Sequence, residues 1–209
     1  MNCCTGYGGS EEPYSTEIDY SKITGLKEVR INGRGQLNYL ESKGLEKLIL
    51  GDEKKKKDLH GFPKSLKSLW LFECGLKSLE GVGEIEGLQQ LVICYCKSIQ
   101  DISNLKDVAV SLRALSIENC PKILDFSCLN ELKSLEFLEL EGRNALPDLK
   151  FLNELQHLRL FRFSMDVQDC DLTPCLQVPY VYLMQNKKKY NLRDKDLPKQ
   201  LPIEGFELN

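Results

Sequence analysis

The sequence has no long hydrophobic run and no strong excess of either charge. No apolar stretch in its 209 residues approaches the roughly 18 that a membrane-spanning helix needs. Residues 1–6 contain neither a basic segment nor an apolar core, so no secretory signal is visible. Because 28 Lys and Arg oppose 31 Asp and Glu, the net charge is −3. This balance argues against a general binder of nucleic acid or membrane surfaces.

Catalytic and metal-binding motifs are missing as well. The chain contains none of the patterns G-x-x-x-x-G-K, H-E-x-x-H or G-x-S-x-G. Its two histidines, His60 and His157, are far apart, and Cys170 and Cys175 lack a second pair at zinc-finger spacing. We therefore expect no catalytic residue, no metal and no cofactor.

What the sequence does contain is a repeated pattern, clearest in residues 112–123 as L-x-x-L-x-I-x-x-C-x-x-I. Eight copies begin at Leu26, Leu45, Leu66, Leu88, Leu112, Leu135, Leu155 and Val178, at steps of 19, 21, 22, 24, 23, 20 and 23 residues. Positions one, four and six hold Leu, Ile or Val in every copy, although hydrophobic residues make up only 42% of the chain. An amphipathic helix would need apolar residues at three- and four-residue steps over several turns, which the pattern does not supply.

The pattern predicts short strands that stack on one another. Positions four and six are two residues apart, so they point to one face of a strand while positions five and seven point to the other. One copy cannot bury its aliphatic residues alone, but stacked copies form a parallel sheet with a continuous core behind it. With 19 to 24 residues per copy, the return path must consist of turns, 3₁₀ segments or very short helices.

These residues resemble leucine-rich repeat proteins of the bacterial, internalin-like short-repeat type. The resemblance covers about three quarters of the chain and is strongest in residues 99–105 and 119–123. It implies an α/β leucine-rich repeat solenoid, with a curved parallel β-sheet on the concave side and turns, 3₁₀ segments or short helices on the convex side. It also implies that another protein binds on the concave side, although the fold alone does not name that partner. The departures from this type are Cys at position nine, where Asn is preferred, and irregular repeat lengths.

We expect one domain in three parts. Residues 1–25 form an N-terminal tail and cap, residues 26–184 a solenoid of about eight repeats, and residues 185–209 a C-terminal cap.

The nine cysteines are scattered and odd in number, in a chain long enough to bury a core without disulfides. Cys74, Cys96 and Cys120 occupy position nine of successive copies, which turns inward, and there Cys behaves as a small buried hydrophobe. Cys94 and Cys96 resemble a chelating pair, but positions seven and nine point in different directions. We predict reduced thiols and a cytoplasmic location.

Positions three, five and seven of each copy form the surface that we call the concave face, and position eight lies at its rim. Seven of these 32 residues are aromatic, about 22% against 8% for the whole chain: Trp70, Phe72, Tyr95, Phe137, Phe161, Tyr180 and Tyr182. Aromatic anchors carry much of the energy of protein interfaces, so the enrichment favours a protein-binding face. The alternative is that caps or long loops bury these rings within the chain, above all Tyr180 and Tyr182 beside the C-terminal cap.

The remaining candidate binding residues are charged: Glu118, Glu139 and Glu141 on neighbouring strands, then His157, Arg159 and Arg162 on the next. Like charges side by side on a sheet are mildly destabilising. Two interpretations stay open. The patch is either an ordinary set of cross-strand ion pairs or an acidic surface for a basic partner.

We predict a cytoplasmic, non-enzymatic module that inhibits another protein by covering its surface. Within that class we favour an immunity protein that neutralises a basic toxin domain, for instance a nuclease. A scaffold or adaptor protein is the alternative, and a thiol-dependent enzyme using Cys94 beside His157 is a remote one. We expect neither nucleic acid nor a membrane as partner, because the lysine runs at 54–57 and 187–189 follow strands too far apart to form one track.

Overall fold

The main element of the structure, a computed structural model that describes residues 20–32, 38–42 and 44–200, is a sheet of eight parallel strands in chain order. Its strands are β1 (Glu28–Asn32), β2 (Lys47–Gly51), β3 (Ser68–Phe72), β4 (Gln90–Cys94), β5 (Ala114–Glu118), β6 (Phe137–Glu141), β8 (Leu160–Phe163) and β10 (Tyr180–Leu183). The two-residue strands β7 (Ala145–Leu146) and β9 (Asp166–Val167) form a separate parallel pair. The predicted fold class is confirmed: the chain folds as a leucine-rich repeat solenoid.

The core is continuous because each strand pairs with the next at equivalent positions. Leu69 of β3 pairs with Leu91 of β4, which pairs in turn with Leu115 of β5, and all three are fully buried. Positions four and six of every strand of the main sheet belong to one cluster of buried residues. Each fully buried leucine stabilises the fold by about 1.5–3 kcal/mol, and only a neighbouring repeat can bury it.

The return path consists of short 3₁₀ helices and turns, as predicted. The helices are Tyr20–Lys22, Asn38–Glu41, Val82–Glu84, Ser103–Val108, Ser127–Glu131, Lys150–Glu154, Thr173–Gln177 and Asp194–Asp196. Carboxylates of Asp101 and Asp125 accept the N–H groups of Ser103 and Ser127 at 2.8 Å, which closes a local turn before two of these helices. Within the described ranges, no helix has the length and apolar character that crossing a membrane requires.

Each of β2 to β5 is followed at position eight by a residue in the left-handed backbone conformation. The φ angles are +52° at Asp52, +52° at Glu73, +54° at Tyr95 and +51° at Asn119. The N–H group of each donates to a carbonyl of the next rung, at 2.8–2.9 Å. This turn extends the ladder by one bond, but it costs energy for a bulky side chain, because only Gly, Asn and Asp adopt it readily.

Position nine holds the predicted column of buried thiols. The Sγ atoms of Cys74, Cys96 and Cys120 donate to the position-six carbonyl of the preceding repeat, at 3.5–3.6 Å. Seven cysteines lie in the described part of the chain, and all seven are free thiols: Cys74, Cys94, Cys96, Cys120, Cys128, Cys170 and Cys175.

The C-terminal end of the sheet is covered by the segment that follows β10. Val181 donates its N–H to the Pro198 carbonyl at 3.0 Å, and Tyr180 pairs with Lys199 in an antiparallel bridge. This segment occupies an edge that would otherwise present unpaired backbone groups. It falls within the predicted C-terminal cap, of which residues 201–209 lie outside the described residues, as do residues 1–19 of the predicted N-terminal tail and cap.

Tyr190 fastens that C-terminal segment to the body of the solenoid. Its hydroxyl donates to Asp166 Oδ1 at 3.0 Å and accepts the N–H of Val167 at 3.1 Å. Lys187 and Lys189 also bind the Asp166 carboxylate, at 3.0 and 2.9 Å. Hydrogen bonds from Lys189, Lys187 and Tyr190 hold the pKa of Asp166 well below its usual range.

The seventh repeat differs from the sequence prediction by three residues. The prediction placed Leu155, Leu158 and Leu160 at positions one, four and six, but β8 pairs with β6 so that Phe161 aligns with Leu138 and Phe163 with Leu140. The inward side chains of β8 are therefore the two phenylalanines, and the repeat starts at Leu158. Leu155 is buried at the end of the preceding 3₁₀ helix, which explains why it fitted the pattern.

Candidate functional site: the concave face

The concave face is built by the alternation of side chains along the eight strands. Positions four and six enter the core, so positions three, five and seven must point to the opposite side. Exposure along this face is uneven. The middle strands carry small or buried residues, for example Ala114 and Ser116, whereas larger half-buried and exposed side chains lie toward both ends.

At the N-terminal end, Trp70 and Phe72 are half-buried side chains on β3, as predicted for the concave face. Their ring centres are 6.1 Å apart. The Trp70 indole N–H donates to Ser68 Oγ at 3.0 Å, and Lys47 Nζ lies 5.7 Å from the Trp70 ring centre. The indole is thus held in one orientation, while part of its surface remains accessible.

Tyr95 is the most exposed large aromatic side chain in the part of the chain that the structure describes, with 49% of its surface accessible. It follows β4 at the rim, in the left-handed turn described above, where its N–H donates to the Glu118 carbonyl at 2.9 Å. The sequence predicted this rim position, but the positive φ of the residue was not foreseen.

Phe137 requires a correction. It occupies position three of β6, as predicted, but its side chain is 1% exposed. Its strand neighbours are Ala114 and Leu160, so the ring lies among residues of the sheet rather than open to a partner. The prediction that this ring is free to contact another molecule is wrong.

Three further predictions fail because of the shifted seventh repeat. Phe161 points into the core, where its ring stacks on Phe163 at 4.6 Å and meets Phe151 edge-on at 6.2 Å. His157 and Arg159 precede β8 instead of projecting from its concave side. The β8 residues that do face outward are Leu160, which the sequence analysis placed in the core, and Arg162. Counting Phe as a core residue at positions four and six would have found this register.

At the C-terminal end, two tyrosines and two cations form a cluster. Tyr182 is 42% exposed and Tyr180 is half-buried. Arg162 lies 5.9 Å from the Tyr182 ring centre, and Lys199 lies 5.4 and 5.6 Å from the centres of Tyr180 and Tyr182. The covering segment therefore reaches these rings through Lys199 without burying Tyr182. No pattern in the sequence pointed to Lys199.

Among the three acidic residues predicted for the face, Glu139 forms an ion pair, whereas Glu118 and Glu141 form none with the described residues. Glu139 is buried and lies 3.3 Å from Arg162. The Ser116 hydroxyl lies between two carboxylates, 3.0 Å from Glu118 Oε1 and 3.3 Å from Glu139 Oε2, and can donate its proton to either. Burial raises the pKa of Glu139, while the Arg162 guanidinium opposes that rise. Glu118 and Glu141, next to it at position seven, have no ion pair with any described residue. The ion-pair interpretation therefore holds for Glu139 and Arg162, and the acidic surface for a basic partner stays a prediction.

At the opposite rim of the face, position two, most charged side chains form ion pairs with each other. Lys27 and Lys67 both bind Glu46, at 2.6 and 2.8 Å, and these lysines lower the pKa of that carboxyl to about 2. Further along, Arg113 and Glu136 lie 4.0 Å apart. The two rims thus differ. At position two, Arg159 is the charged residue without an ion pair among the described residues. At positions seven and eight, Asp52 pairs with Lys54 at 3.1 Å, whereas Glu73, Glu118 and Glu141 have no ion pair with a described residue.

Cys94 and His157 do not form a catalytic pair. Cys94 lies on β4 and His157 precedes β8, with β5 and β6 between them. Burial and the nearby Glu118 raise the pKa of the Cys94 thiol, which disfavours the reactive thiolate. Among the described residues, no group of three or more His, Cys, Asp or Glu side chains is arranged to hold a metal ion.

Comparisons with known proteins add a structural similarity. No protein-family model and no curated protein matches the chain. The chain is similar to the crystal structure of an internalin from Listeria monocytogenes, with 16% sequence identity and a TM-score of 0.47. The matched region covers 76% of this chain and 60% of the internalin chain, so the match spans less than two thirds of that protein. The fold assignment rests on the eight-stranded parallel sheet itself.

Proposed function

We propose that this protein is a non-enzymatic binding module that inhibits another protein by covering it with the concave face. The observation that carries the proposal is the set of accessible aromatic side chains on one surface: Trp70, Phe72, Tyr95, Tyr180 and Tyr182. Aromatic side chains gain most when a partner removes them from water, and they are typical anchors of protein interfaces.

The charges of the face favour a basic partner. Glu118, Glu139 and Glu141 contribute three carboxylates, and Arg162 is the cation paired with one of them. Such a surface attracts a positively charged surface and rejects an acidic one. Within the class of inhibitors, this supports an immunity protein that binds a basic toxin domain, such as a nuclease. The free thiols of the described residues support a cytoplasmic location for that complex.

The test is capture of a partner from the cells that encode the protein, followed by an activity assay. We expect the full chain to retain one basic protein in a one-to-one complex and to suppress its activity. Trp70→Ala combined with Tyr182→Ala should abolish retention while the melting temperature holds. A matched control replaces two exposed side chains away from the concave face, Leu124→Ala with Leu176→Ala, and should retain the partner.

Two results would count against inhibition through this face. Retention that survives the Trp70 and Tyr182 substitutions would place the interface elsewhere. Simultaneous binding of two different proteins, with neither losing activity, would instead favour the scaffold or adaptor alternative.

A further inference from the structure

The chain's own side chains already place cations over most accessible rings of the concave face. Lys47 lies near Trp70, Arg162 near Tyr182, and Lys199 near both Tyr180 and Tyr182. An aromatic ring attracts a cation to its negative face, so these contacts are favourable wherever a cation can reach. Phe72 and Tyr95 are the exceptions: no described Lys or Arg lies over either ring.

Phe72 and Tyr95 belong to neighbouring rungs. Phe72 is paired with Cys94 across β3 and β4, and Tyr95 directly follows Cys94. The N–H of Glu73 donates to the Cys94 carbonyl at 2.9 Å, and that of Tyr95 donates to the Glu118 carbonyl at 2.9 Å. The backbone therefore places two rings and two carboxylates on three successive rungs at one rim. Neither Glu73 nor Glu118 has an ion pair with a described residue, although Glu118 accepts a hydrogen bond from Ser116 at 3.0 Å. Lys54 lies at the same rim, where its ammonium group binds Asp52 at 3.1 Å and the Glu73 carbonyl.

We propose that these four residues, Phe72, Glu73, Tyr95 and Glu118, form a receptor for an arginine side chain of the partner protein. This inference rests on the proposed function, since it names the group that the partner presents. A guanidinium is planar, stacks on aromatic rings and can bind a carboxylate with two parallel hydrogen bonds. A lysine ammonium can supply the charge but neither the stacking plane nor the fork of donors.

The backbone conformation at Tyr95 supports a role for that ring. A tyrosine at φ +54° is unfavourable, and the next repeat has Asn119 in the same conformation, which suits it. No hydrogen bond of the Tyr95 hydroxyl with a described residue offsets the unfavourable backbone. The turn itself belongs to the repeat, since Asp52, Glu73 and Asn119 share it. Contact with another molecule explains why a half-exposed tyrosine occupies it at position 95.

The experiment is a titration of the full isotope-labelled chain with the blocked tripeptide Gly-Arg-Gly, followed by NMR. We expect saturable shifts of the Glu73, Tyr95 and Glu118 amide signals within about 100 mM peptide at low salt, as befits one stacked ion pair. Gly-Lys-Gly should give shifts at least threefold smaller, and Gly-citrulline-Gly, which has the shape without the charge, smaller still.

Variants separate this site from general attraction to an acidic protein. Tyr95→Asn, which suits the left-handed turn, and Glu118→Gln should each reduce the shifts at least threefold. Glu46→Gln, on the paired rim, should leave them unchanged. The inference is overturned if the lysine peptide shifts the same signals equally, if Tyr95→Asn has no effect, or if no saturable shift occurs.

The tripeptide result is independent of partner capture. If capture by the concave face succeeds and the arginine peptide fails to bind, the receptor is wrong and the proposed function stands. If the peptide binds but no inhibited partner exists, the arginine receptor stands and the proposed function is wrong.

Discussion

At the scale of single residues, Glu139 shows how a charge is tolerated inside the concave face. Its carboxylate is buried, so its ionised form depends on Arg162 and Ser116. Burial raises its pKa, which means that the folded chain keeps the proton to a higher pH than the unfolded chain does. Stability from this group is therefore fully present at pH below its usual value of 4.5 and declines as the pH rises through the folded pKa.

We expect Arg162→Met to lower the free energy of unfolding by about 1–3 kcal/mol at pH 8, because the buried carboxylate loses its cation. The loss should be smaller at pH 5, where the isolated carboxyl is more readily protonated. Urea unfolding at the two pH values measures the difference. The double variant with Glu139→Gln should recover most of the loss, and Arg159→Met, which removes an arginine without an ion pair among the described residues, should have little effect. An equal loss at both pH values would contradict this account.

Tyr95 gives a second prediction at this scale. Replacing it with Asn should raise the free energy of unfolding by about 0.5–1 kcal/mol, since Asn tolerates the left-handed conformation. Thermal and urea unfolding check the gain. Tyr182→Asn is the control, because the Tyr182 side chain is also exposed but lies within a strand, where no such gain is expected. A destabilised Tyr95→Asn variant would show that the ring supports the fold.

At the scale of elements, strand alternation separates core from surface, and β8 shows where the sequence is ambiguous. Seven strands could be placed from aliphatic spacing because their positions one, four and six are all Leu, Ile or Val. Before β8, Leu155 and Leu158 are three residues apart and both buried, so a pattern restricted to aliphatic residues fits three residues too early. Strand pairing decides the register, since Phe161 and Phe163 complete the core column.

Alanine substitutions in two strands of the main sheet, β8 and β3, test this assignment. Phe161→Ala should destabilise the fold by about 3–5 kcal/mol, because it empties a fully buried site. Phe72→Ala should cost less than about 1 kcal/mol, because its ring is only half-buried on the concave face. Chemical denaturation of both variants provides the comparison. Similar losses would mean that Phe161 does not lie in the core.

At the scale of the whole molecule, the fold was predictable and the binding surface only in part. Repeat spacing fixes eight strands and the identity of the inward residues of seven of them. Exposure depends on the neighbours of a side chain, which the sequence does not order in space: Phe137 is sealed between its strand neighbours, while Tyr182 stays open beside a cation from the C-terminal segment. The repeat pattern also does not predict which charged side chains form ion pairs, because this too depends on their neighbours in space.

The C-terminal fastening gives a prediction for the molecule as a whole. Tyr190→Phe removes the acceptor of the buried Val167 N–H, so we expect a loss of about 1–2 kcal/mol. Because each repeat contacts only its neighbours, hydrogen exchange should accelerate in β8 and β10 and stay unchanged in β2 to β4. Tyr182→Phe, which removes an exposed hydroxyl, is the control. Uniform acceleration along the chain would mean that the solenoid unfolds as a single unit.

Because each repeat contacts only its neighbours, the number of repeats sets the distance between two contact sites on the concave face. Duplicating residues 112–134 in place would insert one further rung of about 4.8 Å between Tyr95 and the Arg162–Tyr182 pair, and both of these sites would stay intact. A partner that contacts both sites would bind the lengthened chain with lower affinity, whereas a partner that contacts one site would bind it with unchanged affinity. Binding to chains with different numbers of repeats thus reports the distance between the partner's contact points.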